Sequence, residues 1–561
     1  MIERRFIEEY FPLNAVGESS ISEGGKDHIK SIHVWWARRP LAASRASIYS
    51  SLILFNKNEN NIEKTSEFIQ KLSDWKNSVD HSIIFKARKE ILKQFNNLPP
   101  RILDPFSGGG AIPLEALRLG CETYASDYNP ISVFLLKCTL EYPQKFASIT
   151  DENFHDQHTN KLIKIIEFYG KKILEKVSRE SEQFYPKEKN SFPYAYFWSR
   201  VIKCQNPNCQ AEIPLFTQYW LSKKRNVSLY PKVQKNKIIF SIVGKNYAEK
   251  PANFDPNNGS VYNAVATCSV CSFTVDDTTT RKLIFHKNFS EKLIAVCLLD
   301  NKGKKLYRLA NENDIKIFEN IGRKLTDKQN ELIKKWNILP INEFVDTPTH
   351  NEYQEGGLFY NFFPIVLYGF TKWGDLFNSR QKYVLLLFID AMREIYLEIK
   401  NEMNENDAKI IISYLTLAFN RLLTRYNNVT VWHSGSEQTE KIFAIQAIPM
   451  KWYYPEANPL ITDNATSFQG NLKSVLNVLE NLIKIPKSPI HVEQSSATSL
   501  NYQDEFFDAV ITDPPYYDMV PYSALSDFFY VWDKRILSTV FPELFSTHLT
   551  PKTLDAIADL P

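Results

Sequence analysis

Short apolar runs that close on an aspartate occur at 102–104 and 123–127 and again at 507–513, with some 380 residues between the second and the third. Runs of that length bounded by turn residues read as strands, so one sheet has to be assembled from two distant parts of the chain. The first part is Ile102-Leu103-Asp104-Pro105-Phe106-Ser107-Gly108-Gly109-Gly110, and Ala111 to Arg118 follows with helical spacing. Strand, tight glycine turn and helix make a nucleotide-type site. Yet Pro113 stands where a dinucleotide fingerprint needs glycine, and the Gly-Lys-Ser/Thr of a phosphate loop is missing. Such a turn suits a ligand without a pyrophosphate. S-adenosylmethionine fits, because glycines let the backbone come close and Asp104 can take its ammonium group. Thr123-Tyr124-Ala125-Ser126-Asp127 reads as a second strand whose acid suits a ribose diol. Asn129-Pro130 then supplies an N-cap and first-turn proline for the next helix.

The distal run, Phe507-Asp508-Ala509-Val510-Ile511-Thr512, stops in Asp513-Pro514-Pro515-Tyr516. Two prolines fix φ and remove two N–H donors, so this backbone presents acceptors only. The Asp513 carboxylate and the carbonyl between the prolines can accept hydrogen bonds from an exocyclic amine, which turns the nitrogen lone pair toward a sulfonium methyl. The Tyr516 ring offers a face on which an extruded base can stack. A strand leaving through a proline-rich turn is the plainer reading of the same residues.

With these motifs the chain resembles the adenine-specific DNA methylases that contain a zinc ribbon, within the amino-methyltransferases. The resemblance also rests on Trp35-Trp36-Ala37-Arg38-Arg39-Pro40-Leu41-Ala42-Ala43-Ser44-Arg45, on two cysteine pairs and on Tyr368-Gly369-Phe370-Thr371-Lys372-Trp373-Gly374-Asp375-Leu376-Phe377. It implies S-adenosylmethionine as donor, adenine in DNA as acceptor and a link to restriction-modification or anti-phage systems. By matching position, Asp104, Gly108 and Gly110 hold the methionine end of the cofactor and Asp127 the ribose, with Pro105, Phe106, Ser107 and Gly109 as further cofactor-binding residues of the same turn. Asp513, Pro514, Pro515 and Tyr516 hold the target base. Relatives carry an acid near the cofactor's adenine where this chain has Ser496, in the strand and exit turn Ile490 to Thr498. A hydroxyl there bonds the adenine amine more weakly than a carboxylate. Cytosine N4 or an RNA base remains an alternative acceptor, and a nucleic-acid-binding subunit without turnover an alternative role.

Four of the seven cysteines form pairs, Cys204 with Cys209 and Cys268 with Cys271. Two tight pairs can complete a closed tetrahedral site, a structural zinc with no open position for catalysis; buried free thiols are the competing reading. Residues 226–250 alternate apolar and polar in places and are expected to supply the ribbon's strands. Cys121, Cys138 and Cys297 have no partner in sequence and read as small core residues. The net charge of +3 does not mark a generally basic protein, so DNA contact has to use local charge. Residues 201–250 hold nine Lys and Arg against two Glu, including Lys223-Lys224-Arg225; a solvated face explains such a run equally well. Trp35-Trp36 with Arg38, Arg39 and Arg45 can line the cofactor's carboxylate or a DNA phosphate. The other reading of that block is a helix with buried Trp faces. The start has no apolar signal core, and the longest apolar run, Val384 to Ile389, is too short to span a bilayer. The expectation is a cytoplasmic protein without a membrane segment.

The expected architecture is α/β, a Rossmann-like methyltransferase sheet interrupted by a zinc-ribbon and helical insertion. It divides into an N-terminal helical lead (1–95), the cofactor half of the core (96–145), a helical linker (146–195), the zinc ribbon (196–300), a mostly helical target-recognition insertion (301–485) and the catalytic half (486–561). Four strands can be counted where such a sheet has about seven. The expectation is therefore that C-terminal strands are missing, that the chain is either a truncated product or one half of a split enzyme whose second chain supplies them, and that the isolated polypeptide has little or no activity.

Overall fold

A computed structural model describes residues 4–146, 157–345, 362–461, 464–516 and 520–556. The chain divides into two compact units: Met1–Gly170 with Tyr396–Ala418 and Leu472–Pro561, and Lys171–Ile395 with Phe419–Asn471. Part of the expected 301–485 insertion thus lies in the first unit.

The first unit holds a four-stranded parallel sheet: β1 (Arg101–Asp104), β2 (Glu122–Asp127), β3 (Ile490–Gln494) and β4 (Ala509–Val510), in the order β3-β2-β1-β4. Leu103 is flanked by Tyr124 on one side and Val510 on the other, so the two distant parts of the chain meet at β1. Strand order reverses there, and in open parallel sheets ligands sit at the carboxyl ends of the strands beside such a reversal. The expected strand 507–513 contracts to two residues. Its pairing is continued on either side by bonds from the Asp508 amide to the Arg101 carbonyl (3.0 Å) and from the Ile511 amide to the Leu103 carbonyl (3.0 Å), and the prolines then end it. β4 is an edge, with Val510 57% exposed.

Trp35 to Pro40 is a loop, not the helix that sequence allowed, and α1 (Leu41–Leu52) begins after Pro40. Helix α2 (Ala111–Arg118) follows the glycine turn, and α3 (Tyr522–Leu537), the helix expected after the distal strand, is buried over most of its length. The Asn129 side chain accepts from the Ile131 amide at 3.0 Å with Pro130 in the first turn, the cap that sequence predicts. Arg45, Glu115 and Arg118 are buried together: Arg45 Nη1 donates to Glu115 Oε2 at 2.9 Å and Arg118 Nε at 3.1 Å. Arg45 is therefore a packing cation joining α1 to α2, which corrects its candidacy for a cofactor or phosphate.

The second unit is built on the strand Ser191–Lys203, flanked antiparallel by Ser290–Asp300 and Tyr453–Ala457. The Glu456 carboxylate at its heart accepts from Arg380, from Trp198 Nε1 at 2.8 Å and from Asn378 Nδ2 at 2.9 Å, so a buried charge is fully satisfied. The alternating stretch forms Val227–Gln234 and Lys237–Gly244, but these pair with each other and with Trp220–Ser222 as a separate meander. The cysteine pairs lie on other hairpins, which corrects the expectation that residues 226–250 supply the ribbon's strands. The apolar periodicity at Val384–Ile399 and Ile410–Leu423 becomes the helices Ser379–Glu402 and Glu405–Leu423. Among the described residues no helix is long and apolar enough to cross a membrane.

Candidate active site and cysteine cluster

The carboxyl ends of β1, β2 and β4 open into one cleft of about 790 Å³, mouth included. Asp104, Pro105, Phe106, Ser107, Gly108, Gly109, Asp127, Asp513 and Pro515 all line it. Asp104 and the distal motif are joined directly: Thr512 Oγ1 donates to Asp104 Oδ1 at 2.7 Å. The Phe106 amide donates to the same oxygen at 3.1 Å. Burial outweighs these bonds and pushes the Asp104 carboxyl up to about 7. Asp127 accepts from the amides of Gly108 (2.8 Å) and Asn129 (2.9 Å), and desolvation again prevails, raising it to about 6.

Gly108 sits at φ +48, and a Cβ there would lie 2.6 Å from Trp35 Nε1; one at Gly109 would lie 3.0 Å from Trp35 Cδ1 and from Arg38 Cγ and Nε. The N-terminal loop therefore lies directly on the glycine turn, and its Trp35 ring stacks on Tyr522 (6.0 Å, 14°). Arg39 pairs with Asp513 and lies 5.1 Å from the centre of the Tyr516 ring.

Four expected residues are placed otherwise, and one of them, Tyr516, is 55% exposed and not among the residues that line the cleft. Gly110 is the N-cap of α2 at φ +80, and its missing Cβ faces Leu136. Pro514 is exposed outside the cleft. Ser496 is buried, with its hydroxyl given to the Leu554 carbonyl (2.8 Å) and shared with Thr498 Oγ1 (2.8 Å); its neighbour Ala497 lines the cleft instead, with Leu554, Asp555 and Ala556. Sequence reading did not find that last segment, which has no motif. Tyr522 at the start of α3 was missed for the same reason.

In the second unit each cysteine pair sits in a hairpin turn. Cys204 and Cys209 lie between paired Lys203 and Glu212, and Cys268 and Cys271 between paired Thr267 and Thr274. The four sulfurs lie within 4.8 Å of one another, with Cys204 to Cys271 at 3.6 Å and Cys209 to Cys268 at 3.8 Å. A tetrahedron with 2.3 Å zinc–sulfur bonds has edges of about 3.8 Å. The cluster is compatible with zinc.

Residues 85–243 match the family model described as D12 class N6 adenine-specific DNA methyltransferase. The chain carries an adenine-specific DNA methyltransferase domain. Its activity class follows, methyl transfer to the N6 amine of adenine in DNA, and such an enzyme takes its methyl group from S-adenosylmethionine. The match covers the glycine turn and Asp127 of this methyltransferase but not the distal motif. Residues 10–72, which hold Trp35, Arg38 and Arg39, match a family described as a protein of unknown function, DUF1156. No curated protein and no solved structure matches the chain.

Proposed function

We propose that the cleft is the active site and that it brings an extruded adenine against S-adenosylmethionine. The cofactor supplies an electrophilic methyl on a positively charged sulfur. The residues present fit it: the glycine turn lets a ligand lie against backbone, and Asp104 and Asp127, which line the same cleft, offer carboxylates for its ammonium group and its ribose. Asp513 accepts a hydrogen bond from the adenine amine, orients the nitrogen lone pair and balances the charge that develops there. Tyr516 supports the base, which costs a few kcal/mol to unstack and unpair. Catalysis is chiefly positioning, a term that can supply roughly 7–11 kcal/mol. The sheet corresponds to a Rossmann-like core, and the four cysteines to a zinc ribbon that shapes the second unit. The exposed lysines Lys223 and Lys224 of that unit offer it charge for DNA phosphates.

The observation that carries this reading is the 2.7 Å bond between Thr512 and Asp104, because it couples the base-handling strand to the cofactor turn across some 400 residues of sequence. Purified chain incubated with tritiated S-adenosylmethionine and unmethylated genomic DNA tests it, with the digested product identified by mass spectrometry. Although the count of four strands leads to an expectation of little activity, the proposed site predicts N6-methyladenine from wild type and none from Asp513→Ala; N4-methylcytosine would reassign the acceptor. A protective role against invading DNA would show as altered phage plating when the gene is expressed.

A further inference from the structure

Among the described residues, no acidic group pairs with Arg38. Its Nη2 donates to the His33 carbonyl at 3.2 Å. Its Nε and Nη1 are shut off from solvent and have no hydrogen-bond partner among the described residues. The acids around the cleft are otherwise engaged: Asp513 by Arg39, Asp104 by Thr512 and the Phe106 amide, Asp127 by two amides, Asp555 by Ser523. Desolvation lowers the guanidinium to about 9 with no compensating charge. A guanidinium with two nitrogens withdrawn from water and no acid beside it is costly to hold, and one retained beside a ligand cleft calls for an anion from the ligand. Its position is fixed, since Arg38 Nε stands 3.0 Å from the point where Gly109 would carry a Cβ. That is the turn against which the amino-acid end of the cofactor lies.

We infer that Arg38 receives the α-carboxylate of S-adenosylmethionine and closes the ion pair that the protein leaves open. The inference rests on the cofactor reading above and goes beyond it by giving a ligand to the DUF1156-matching segment, whose family is described as of unknown function. Asp104 and Arg38, which line the same cleft, then read the two charges of one amino acid, so a ligand with an amine but no carboxylate is discriminated against.

Calorimetry on the full chain tests this with two probes, S-adenosylmethionine and its decarboxylated analogue, which keeps the adenosine, sulfonium and amine. Wild type is expected to bind the analogue roughly 100-fold more weakly, the worth of a charge-assisted contact in a desolvated site. Arg38→Gln is expected to lose S-adenosylmethionine affinity by a similar factor and to leave the analogue's affinity nearly unchanged, so that the two probes become equivalent. Arg38→Lys should recover part of the gap. Equal binding of both probes by wild type, or an undiminished gap in Arg38→Gln, overturns the role of Arg38 and leaves the methyltransferase reading standing. Failure of wild type to bind either probe overturns both. The wild-type comparison needs no variant, so a misfolded substitution does not obscure the result.

Discussion

The Arg39 guanidinium is ion-paired with the Asp513 carboxylate and lies on the Tyr516 ring, although 474 positions separate Arg39 from Asp513. One carboxylate oxygen is held by the cation, which also lies over the ring, and on the proposed reading the other oxygen takes the adenine amine. Arg39 is thus a positioning residue for both parts of the distal motif. Arg39→Gln is expected to lower kcat by roughly 100-fold, the cost of a small misplacement of reacting groups, while the affinity for S-adenosylmethionine stays close to wild type. Arg39→Lys should fall between, since it keeps charge but not the planar fork. Tritium transfer and calorimetry separate the two quantities; a variant with unchanged kcat would reduce Arg39 to a rim charge.

On the proposed reading of the cleft, Asp104 makes cofactor binding sensitive to pH. Its carboxyl is pushed up to about 7 by burial, against about 3.9 in an unfolded chain. The folded protein therefore holds a proton that the unfolded chain has released. The associated stability is complete below pH 4 and is lost as pH rises through 7, on the order of 4 kcal/mol in all. An ammonium ligand needs the ionised form, so binding expels the proton and affinity falls about tenfold per pH unit below 7. Asp127, raised to about 6, adds a second and lower step. Titrations at pH 5.5, 6.5 and 7.5 in buffers of different ionisation heat would show proton release, and Asp104→Asn should remove the upper step alone.

How much of this was legible before the structure depended on whether a feature was local. The turn at Asp104 to Gly110 and the Asn129 cap are each encoded within ten residues, so propensity and spacing suffice. The bond from Arg39 to Asp513 joins two loops whose meeting depends on where the sheet puts them, and Trp35 on Gly108 depends on the same placement. Alternation at 226–250 correctly marked strands, yet alternation cannot say with which neighbour a strand pairs. Ser496 misled because a residue matched by position can still turn its hydroxyl elsewhere, here to the Leu554 carbonyl.

The four-cysteine cluster should hold one zinc ion per chain. Three of its thiols are buried and only Cys271 is exposed, so the ion is closed off from substrate and contributes to folding rather than chemistry. Elemental analysis of purified protein checks the stoichiometry. Cys268→Ser should abolish zinc retention and remove about 10 kcal/mol or more of support from the hairpins it ties together, seen as an early melting transition. The cofactor cleft is lined entirely by residues of the first unit, so S-adenosylmethionine should still bind to the variant.

The triad of Arg45, Glu115 and Arg118 sets the stability of the frame that presents the glycine turn. Arg45 also donates to the carbonyls of Leu72 (2.6 Å) and Ser73 (3.1 Å) at the end of the helix Glu59–Ser73, where backbone acceptors have no intrahelical partner. One carboxylate answers two buried guanidinium groups. Removing Glu115 leaves both cations uncompensated, and burial already drives Arg118 down despite its acidic neighbour. Glu115→Ala is therefore expected to cost about 3–5 kcal/mol, the usual penalty for breaking a buried ionic group. Arg45→Met, which leaves the Glu115–Arg118 pair intact and fills most of the space, should cost less. Urea unfolding of the two variants gives the comparison. Equal and small losses would mean that water reaches the triad and that its charges are not held in a dry interior.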